Sequence, residues 1–166
     1  PNPSRLVLLD TMNFWMDVAL DELLAVIKLV DVITINDEEA LQLSGKSNMV
    51  SAAKAIHKLG PAYVIIKKGE HGALLFHKDH PFYAPALPLQ QVIDPTGAGD
   101  SFAGGLSGYL AAQETLSTAA IKQGILNGTA AASICVGAMG TEGLVDAKKP
   151  KFLAQLQELE RLRTVS

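Results

Sequence analysis

Three short apolar runs, at 5–10 (RLVLLD), 32–35 (VITI) and 63–67 (YVIIK), alternate with stretches whose apolar residues recur at helical spacing. Helices are predicted over 17–30, from 37 toward Leu43, and over 48–59, where Gly60-Pro61 stops the last of them. Strands joined through helices pair in parallel, and parallel sheets bury both faces. The alternation therefore predicts an α/β fold with a mostly parallel sheet flanked by helices. Ligands of such sheets gather at the carboxyl ends of the strands. Asp10, Asn36, Lys67, Lys68 and the stretch 94–100 are expected at those ends. Gly69-Glu70-His71-Gly72 makes a tight turn into a strand over 73–77, which suggests a hairpin. A further short strand is predicted at 82–84 before a Pro-rich connection, with helices over 99–113, 117–136 and 150–163.

The run Asp94-Pro95-Thr96-Gly97-Ala98-Gly99-Asp100 carries the most chemistry. It sets two glycines and a carboxylate where an apolar segment ends and a small-residue helix begins. Helix starts expose N–H groups that no helical carbonyl satisfies, at the positive end of the dipole. A phosphate group is the natural occupant. A carboxylate beside a polyphosphate is electrostatically costly unless it has a task, and taking a proton from an attacking hydroxyl is such a task. Asp-Pro-Thr-Gly is also a good turn, and Asp100 could simply cap a helix. One turn rarely needs two acids, Pro, Thr and two glycines together, so phosphate chemistry is the favoured reading.

Composition narrows the partners. The 166 residues are 48% hydrophobic and 19% charged, which fits a globular chain. Acids outnumber bases 17 to 14 without a basic cluster, which argues against nucleic acid or an anionic membrane surface. The stretch 123–141 is uncharged but rich in Gly, Ala, Ser and Thr, and reads as a tightly packed helix rather than a membrane span. The single cysteine, Cys135, reads as a small apolar residue of that helix, and a reducing cytoplasm is the simplest location. Pro1-Asn2-Pro3 does not resemble a signal peptide, and the missing initiator Met suggests a piece of something longer.

Several motifs fail on inspection. Gly45-Lys46-Ser47 lacks the earlier glycine of a P-loop, where Ala40 stands, and reads as a helix C-terminal turn. Phe102 breaks the dinucleotide fingerprint. The histidines His57, His71, His77 and His80 have no zinc-like spacing, and no Gly-x-Ser-x-Gly elbow is present. Asn36-x-x-Glu39 is either a pair of oxygen ligands for Mg²⁺, acting through water, or a helix capping box, and both can hold together. Lys67 and Lys68 either bring positive charge to a polyphosphate or are solvated lysines at a strand end.

The run from Asp94 through Ser101-Phe102-Ala103-Gly104-Gly105 resembles the C-terminal signature of the ribokinase-like, or PfkB, family of sugar and nucleoside kinases. Asp10-x-x-Asn13, Asn36-x-x-Glu39 and Lys68-Gly69-x-x-Gly72 agree in order. The stretch 127–140 is similar to the family's adenine-flanking helix and loop. The resemblance implies the three-layer ribokinase-like α/β fold, in its C-terminal part, with the whole chain as one nucleotide-binding and catalytic domain. It implies ATP, Mg²⁺ and a monovalent cation such as K⁺ as cofactors, and a sugar or nucleoside as acceptor. Asp100 matches the catalytic base, and Gly97, Ala98 and Gly99 match the anion hole. Asn36 and Glu39 match the motif that organises Mg²⁺ and phosphate. Lys68, Gly69 and Gly72 match a nucleotide-contacting turn, and Asn127 an adenine-pocket residue. Asp94 and Thr96 sit where some members bind the monovalent cation.

Two departures accompany the resemblance. Lysine at Lys67 or Lys68 replaces the usual threonine before the Gly69 turn. The N-terminal half, with the acceptor-binding residues and a lid, has no counterpart, and a homodimer through the lid would need that half. The expectation is an ATP-dependent transfer to a hydroxyl, most concretely a primary alcohol of a sugar. Alternatives are a nucleoside kinase of the same family and a non-catalytic nucleotide-binding module, with a Rossmann-type oxidoreductase as a weaker third.

Overall fold

Branched apolar residues make the three runs into strands: β1 (Leu8–Asp10), β2 (Val32–Asn36) and β3 (Tyr63–Lys67). They pair in parallel, with Asp10 opposite Thr34 and Asn36 opposite Lys67. β4 (Ala73–Phe76) and β5 (Phe82–Ala84) complete a five-stranded sheet in the order β1-β2-β3-β4-β5. Residues 68–72 are too few for a crossover, so β3 and β4 form the predicted hairpin. The sheet is mixed, mostly parallel and flanked by helices, as the alternation requires. The structure, a computed structural model, describes residues 5–78 and 81–164. Pro1, Asn2 and Pro3, on which the signal-peptide reading rests, and His80 lie outside the described residues. By internal contacts the chain divides into two compact units: one runs to Lys68 and adds Leu74–Tyr83, the other takes Gly69–Ala73 and continues from Ala84.

The first unit packs one face of the sheet. Ile33 and Ile35 of β2 and Val64 and Ile66 of β3 join Met16, Leu23, Ile27, Ala40, Ala52, Ala53 and Ile56 in one core cluster. These come from α1 (Asn13–Val18), α2 (Leu20–Ile27), α3 (Asp37–Ser44) and α4 (Met49–His57). The alternate strand residues Val32, Thr34 and Ile65 are fully buried as well, so the strands are covered on both faces. The predicted helix over 17–30 is instead two helices. Ala19 leaves helical torsions (φ −150°, ψ 45°), and the separate segments bury Met16 on one side of the break and Leu23 and Ile27 on the other. Gly45 closes α3 in a left-handed conformation with its N–H on the Leu41 carbonyl at 2.9 Å. The Gly-Lys-Ser tripeptide is thus a helix C-terminal turn.

The second unit holds α5 (Ala98–Ala111), α6 (Thr118–Cys135), a short α7 (Glu142–Val145) that the sequence reading did not foresee, and α8 (Lys149–Arg163). Most of α6 from Ile121 onward is buried, which explains an uncharged stretch without a membrane. No described helix is long and apolar enough to cross one. α5 and α6 touch backbone to backbone. A Cβ on Gly105 would lie 2.8 Å from the Asn127 carbonyl oxygen, and one on Gly128 2.6 Å from that of Phe102. One expectation is corrected here: 94–100 does not sit at a strand end. No strand is found over 85–97, where Pro85, Pro88 and Pro95 remove ladder donors.

Gly128→Ala should therefore destabilise the protein by roughly 1–3 kcal/mol through overpacking. Gly108, on the same helix pair, faces open space. Gly108→Ala should stabilise by about 0.5–1 kcal/mol through helix propensity. Urea unfolding of the two variants checks the opposite signs, and equal signs would contradict close backbone contact.

Candidate active site

The start of α5 is built by a turn that only glycine suits. Gly97 is the N-cap at φ 78°, a left-handed conformation, and no side chain caps the helix. The Ala98 N–H closes the turn onto the Pro95 carbonyl at 3.2 Å, and the Ser101 N–H and hydroxyl both reach the Gly97 carbonyl. The N–H groups of Gly97, Gly99 and Asp100 make no hydrogen bond among the described residues. Of the three amides expected to form an anion hole, that of Ala98 is bonded to Pro95 and those of Gly97 and Gly99 are unbonded, as is that of Asp100, among the described residues. The Asp100 carboxylate is exposed, makes no hydrogen bond or ion pair among the described residues, and lines the same recess of about 530 Å³ as Gly97.

The turn is braced from behind. Asp94 accepts from the Thr96 N–H at 2.9 Å and from the Gly140 N–H at 3.1 Å. Its own N–H and that of Ile93 donate to the Val136 carbonyl, just past α6. The Thr96 N–H, then its side chain, and the Gly140 N–H hold the Asp94 carboxyl below the usual carboxylate range. Cys135, the last residue of α6, is buried with Sγ 3.5 Å from the Thr96 carbonyl and 3.8 Å from that of Gly140. It also lines the recess, together with Thr141 and Leu144. The sequence reading of Cys135 as a small buried residue of that helix agrees with its place at the end of α6.

Other expected residues of this unit are placed as follows. Asn127, mostly buried in α6, donates its side-chain amide to the Gln123 carbonyl at 2.8 Å and does not line the recess. Gly69 and Gly72 both have positive φ, and a Cβ on Gly72 would lie 2.1 Å from the Ala84 carbonyl oxygen. The turn geometry alone therefore demands glycine at 72.

In the first unit, Asn36 is both the end of β2 and the N-cap of α3. Its side chain accepts from the Glu39 N–H at 2.7 Å, while Glu39 Oε2 accepts from the Asn36 N–H at 3.1 Å, a complete capping box. The buried Glu39 Oε2 also accepts from the Thr11 hydroxyl at 3.2 Å, and Oε1 takes part in none of these bonds. Lys67 is ion-paired: its ammonium sits 2.6 Å from Asp10 Oδ1, which also accepts from the Thr34 hydroxyl, so the ends of β1 and β3 neutralise each other. Lys68, half-buried, makes no hydrogen bond or ion pair among the described residues. Among the described residues the Asn13 side chain accepts only from the adjoining Phe14 N–H.

Comparison with known proteins identifies the family. The sequence model described as pfkB family carbohydrate kinase matches residues 5–148. Cytidine kinase of Thermococcus kodakarensis is 38% identical over 92 residues, covering 54% of this chain and 33% of the relative. Aminoimidazole riboside kinase of Salmonella typhimurium is 36% identical over 112 residues, covering 68% of this chain and 35% of the relative. The crystal structure of aminoimidazole riboside kinase from Salmonella enterica, complexed with aminoimidazole riboside and an ATP analog, aligns with a TM-score of 0.80 at 31% identity. That alignment covers 91% of this chain and 52% of the solved one. The matched region spans about a third of the length of these curated relatives and about half of the solved structure. With a family match across nearly the whole chain and a glycine turn presenting free amides beside an aspartate, the protein belongs to the pfkB family of carbohydrate kinases.

Proposed function

We propose that this chain is the nucleotide-binding and catalytic part of a phosphotransferase that moves the γ-phosphoryl group of ATP to a hydroxyl of a sugar or riboside, most concretely a primary alcohol. The observation that carries this reading is the unpartnered Asp100 carboxylate sharing one recess with the Gly97 turn, whose free N–H groups start α5. Asp100 takes the proton as the acceptor oxygen bonds to the γ-phosphorus, and the bond to the bridging oxygen breaks to leave ADP. The amides of Gly97, Gly99 and Asp100 offset charge on the transferring group. The riboside and ATP analog held by the Salmonella enterica kinase favour a ribose-containing acceptor.

The donor set of Asn36 and Glu39 fits a hydrated Mg²⁺, because Glu39 Oε1 is left out of the capping box and can accept from a metal-bound water. When bound, Mg²⁺ supplies positive charge that neutralises phosphate. Gly69, Gly72 and Lys68 are proposed nucleotide contacts. Asn127, whose amide is spent on Gln123, keeps its side-chain oxygen as an acceptor for a base. The acceptor-binding residues of the whole kinase are proposed to lie in sequence outside this chain, as does any lid through which copies would pair.

In the protein that carries this chain, Asp100→Asn should lower phosphate transfer at least about a hundredfold while ATP affinity stays within a factor of about two. Transfer from ATP to pentoses, hexoses and nucleosides, beside calorimetric ATP binding, measures both. Retained turnover would remove the base assignment, and ATP binding without transfer to any acceptor would favour a nucleotide-binding module. Stability gives a second check. Asp94 titrates below its ordinary 3.8 in the folded state, so its contribution is present above that value and is lost as pH falls through the folded pKa. Asp94→Asn should lower the unfolding midpoint at neutral pH, with the gap to wild type closing below pH 3.8.

A further inference from the structure

We infer that Thr11, which stands between the two named residues of Asp10-x-x-Asn13, positions the Glu39 carboxylate for a hydrated Mg²⁺. The inference deepens the Mg²⁺ reading above and rests on it. Glu39 is 6% exposed, yet its carboxylate is only half engaged. Oε2 accepts from the Asn36 N–H at 3.1 Å and from the Thr11 hydroxyl at 3.2 Å. Oε1 has no partner among the described residues and is not shut off from solvent. The last torsion of a glutamate is broad and nearly two-fold. A single hydrogen bond from the capping box leaves the two oxygens free to swing or exchange. The second donor, reaching from 28 residues away, fixes which oxygen faces the protein. Oε1 is thereby left to accept from the hydration shell of the ion.

Thr11 can do this because it is itself held. Its N–H donates to the Thr34 carbonyl at 3.2 Å, which carries the β1–β2 pairing one residue past the end of β1, and the residue is 8% exposed. The preceding Asp10 is tied by the Lys67 ammonium at 2.6 Å and by the Thr34 hydroxyl. Lys67, which departs from the family pattern, thus anchors the exit of β1 and keeps Thr11 against Glu39. All of these residues lie within one of the two compact units. The capping box is complete without Thr11, since Asn36 and Glu39 already satisfy each other. Capping alone therefore does not call for this hydroxyl. Thr11 touches no reacting atom in this scheme and is a positioning residue.

The test uses the protein that carries this chain. It compares wild type with Thr11→Val, which keeps the shape and loses the donor, and with Thr11→Ser, which keeps the donor. Thr11→Val should need about tenfold more Mg²⁺ for half-maximal phosphate transfer, with kcat at saturating Mg²⁺ within about a factor of two of wild type. Thr11→Ser should follow wild type. Mn²⁺ affinity beside a non-hydrolysable ATP analog, read from water proton relaxation, should also fall about tenfold in Thr11→Val. In a Glu39→Gln background, adding Thr11→Val should leave Mn²⁺ affinity where Glu39→Gln put it, because the hydroxyl acts through the carboxylate. Thr11→Ala carries the same expectations should Thr11→Val fail to fold. A rate lowered equally at every Mg²⁺ concentration, an unchanged Mn²⁺ affinity, or equal losses in the Ser and Val variants would overturn the assignment. If wild type transfers no phosphate to any acceptor, the phosphotransfer reading fails, and the Mn²⁺ measurement still decides the role of Thr11.

Discussion

The close approach of α5 to α6 is the constraint on which the candidate site depends. Two helices can meet backbone to backbone only where a Cβ is missing from the contact, and Gly105 and Gly128 supply that gap. The contact fixes the start of α5 beside the end of α6, where the Cys135 thiol meets the Thr96 carbonyl. It also seats Gly97 and Asp100 on one recess with Thr141 and Leu144. A looser packing would leave the same residues in the chain and no shared surface for them.

Around this frame, charge is treated in two ways. Groups with structural duties are neutralised locally: Lys67 by Asp10, the Glu39 Oε2 by the Asn36 N–H and the Thr11 hydroxyl, and Asp94 by two amides. Asp100 has no such partner among the described residues and faces the recess. An exposed carboxylate next to unpaired amides is what the proposed transfer needs, whereas a paired one is committed to the fold. Other exposed acids, such as Glu22 and Glu38, also lack a partner among the described residues, so it is the recess shared with Gly97 that sets Asp100 apart.

Much of the architecture was legible because local patterns agreed with it. β3 and β5 have the bounds their apolar runs implied, and Asn36, Asn48 and Ser117 begin helices with their side chains accepting the expected amides. The break at Ala19 was not legible. No Gly or Pro marks it, and it reflects how Met16, Leu23 and Ile27 reach one core. The placement of 94–100 at a strand end was read wrongly, since the segment before it is irregular and its apolar Val92 and Ile93 are exposed. Lys67 was read as a free cation because its partner Asp10 lies on a strand two positions away in the sheet.

Sequence alone determined the alternation of elements, the glycine turn at Gly97 and the family. These depend on torsional preference and on side-chain spacing along one chain, which neighbours in sequence settle among themselves. Tertiary structure decided which amides stay unpaired, which acid shares a recess with them and what braces the turn. Those outcomes depend on groups far apart in sequence, such as Asp94 with Gly140 and Cys135 with Thr96, whose distances are set only when helices and loops pack.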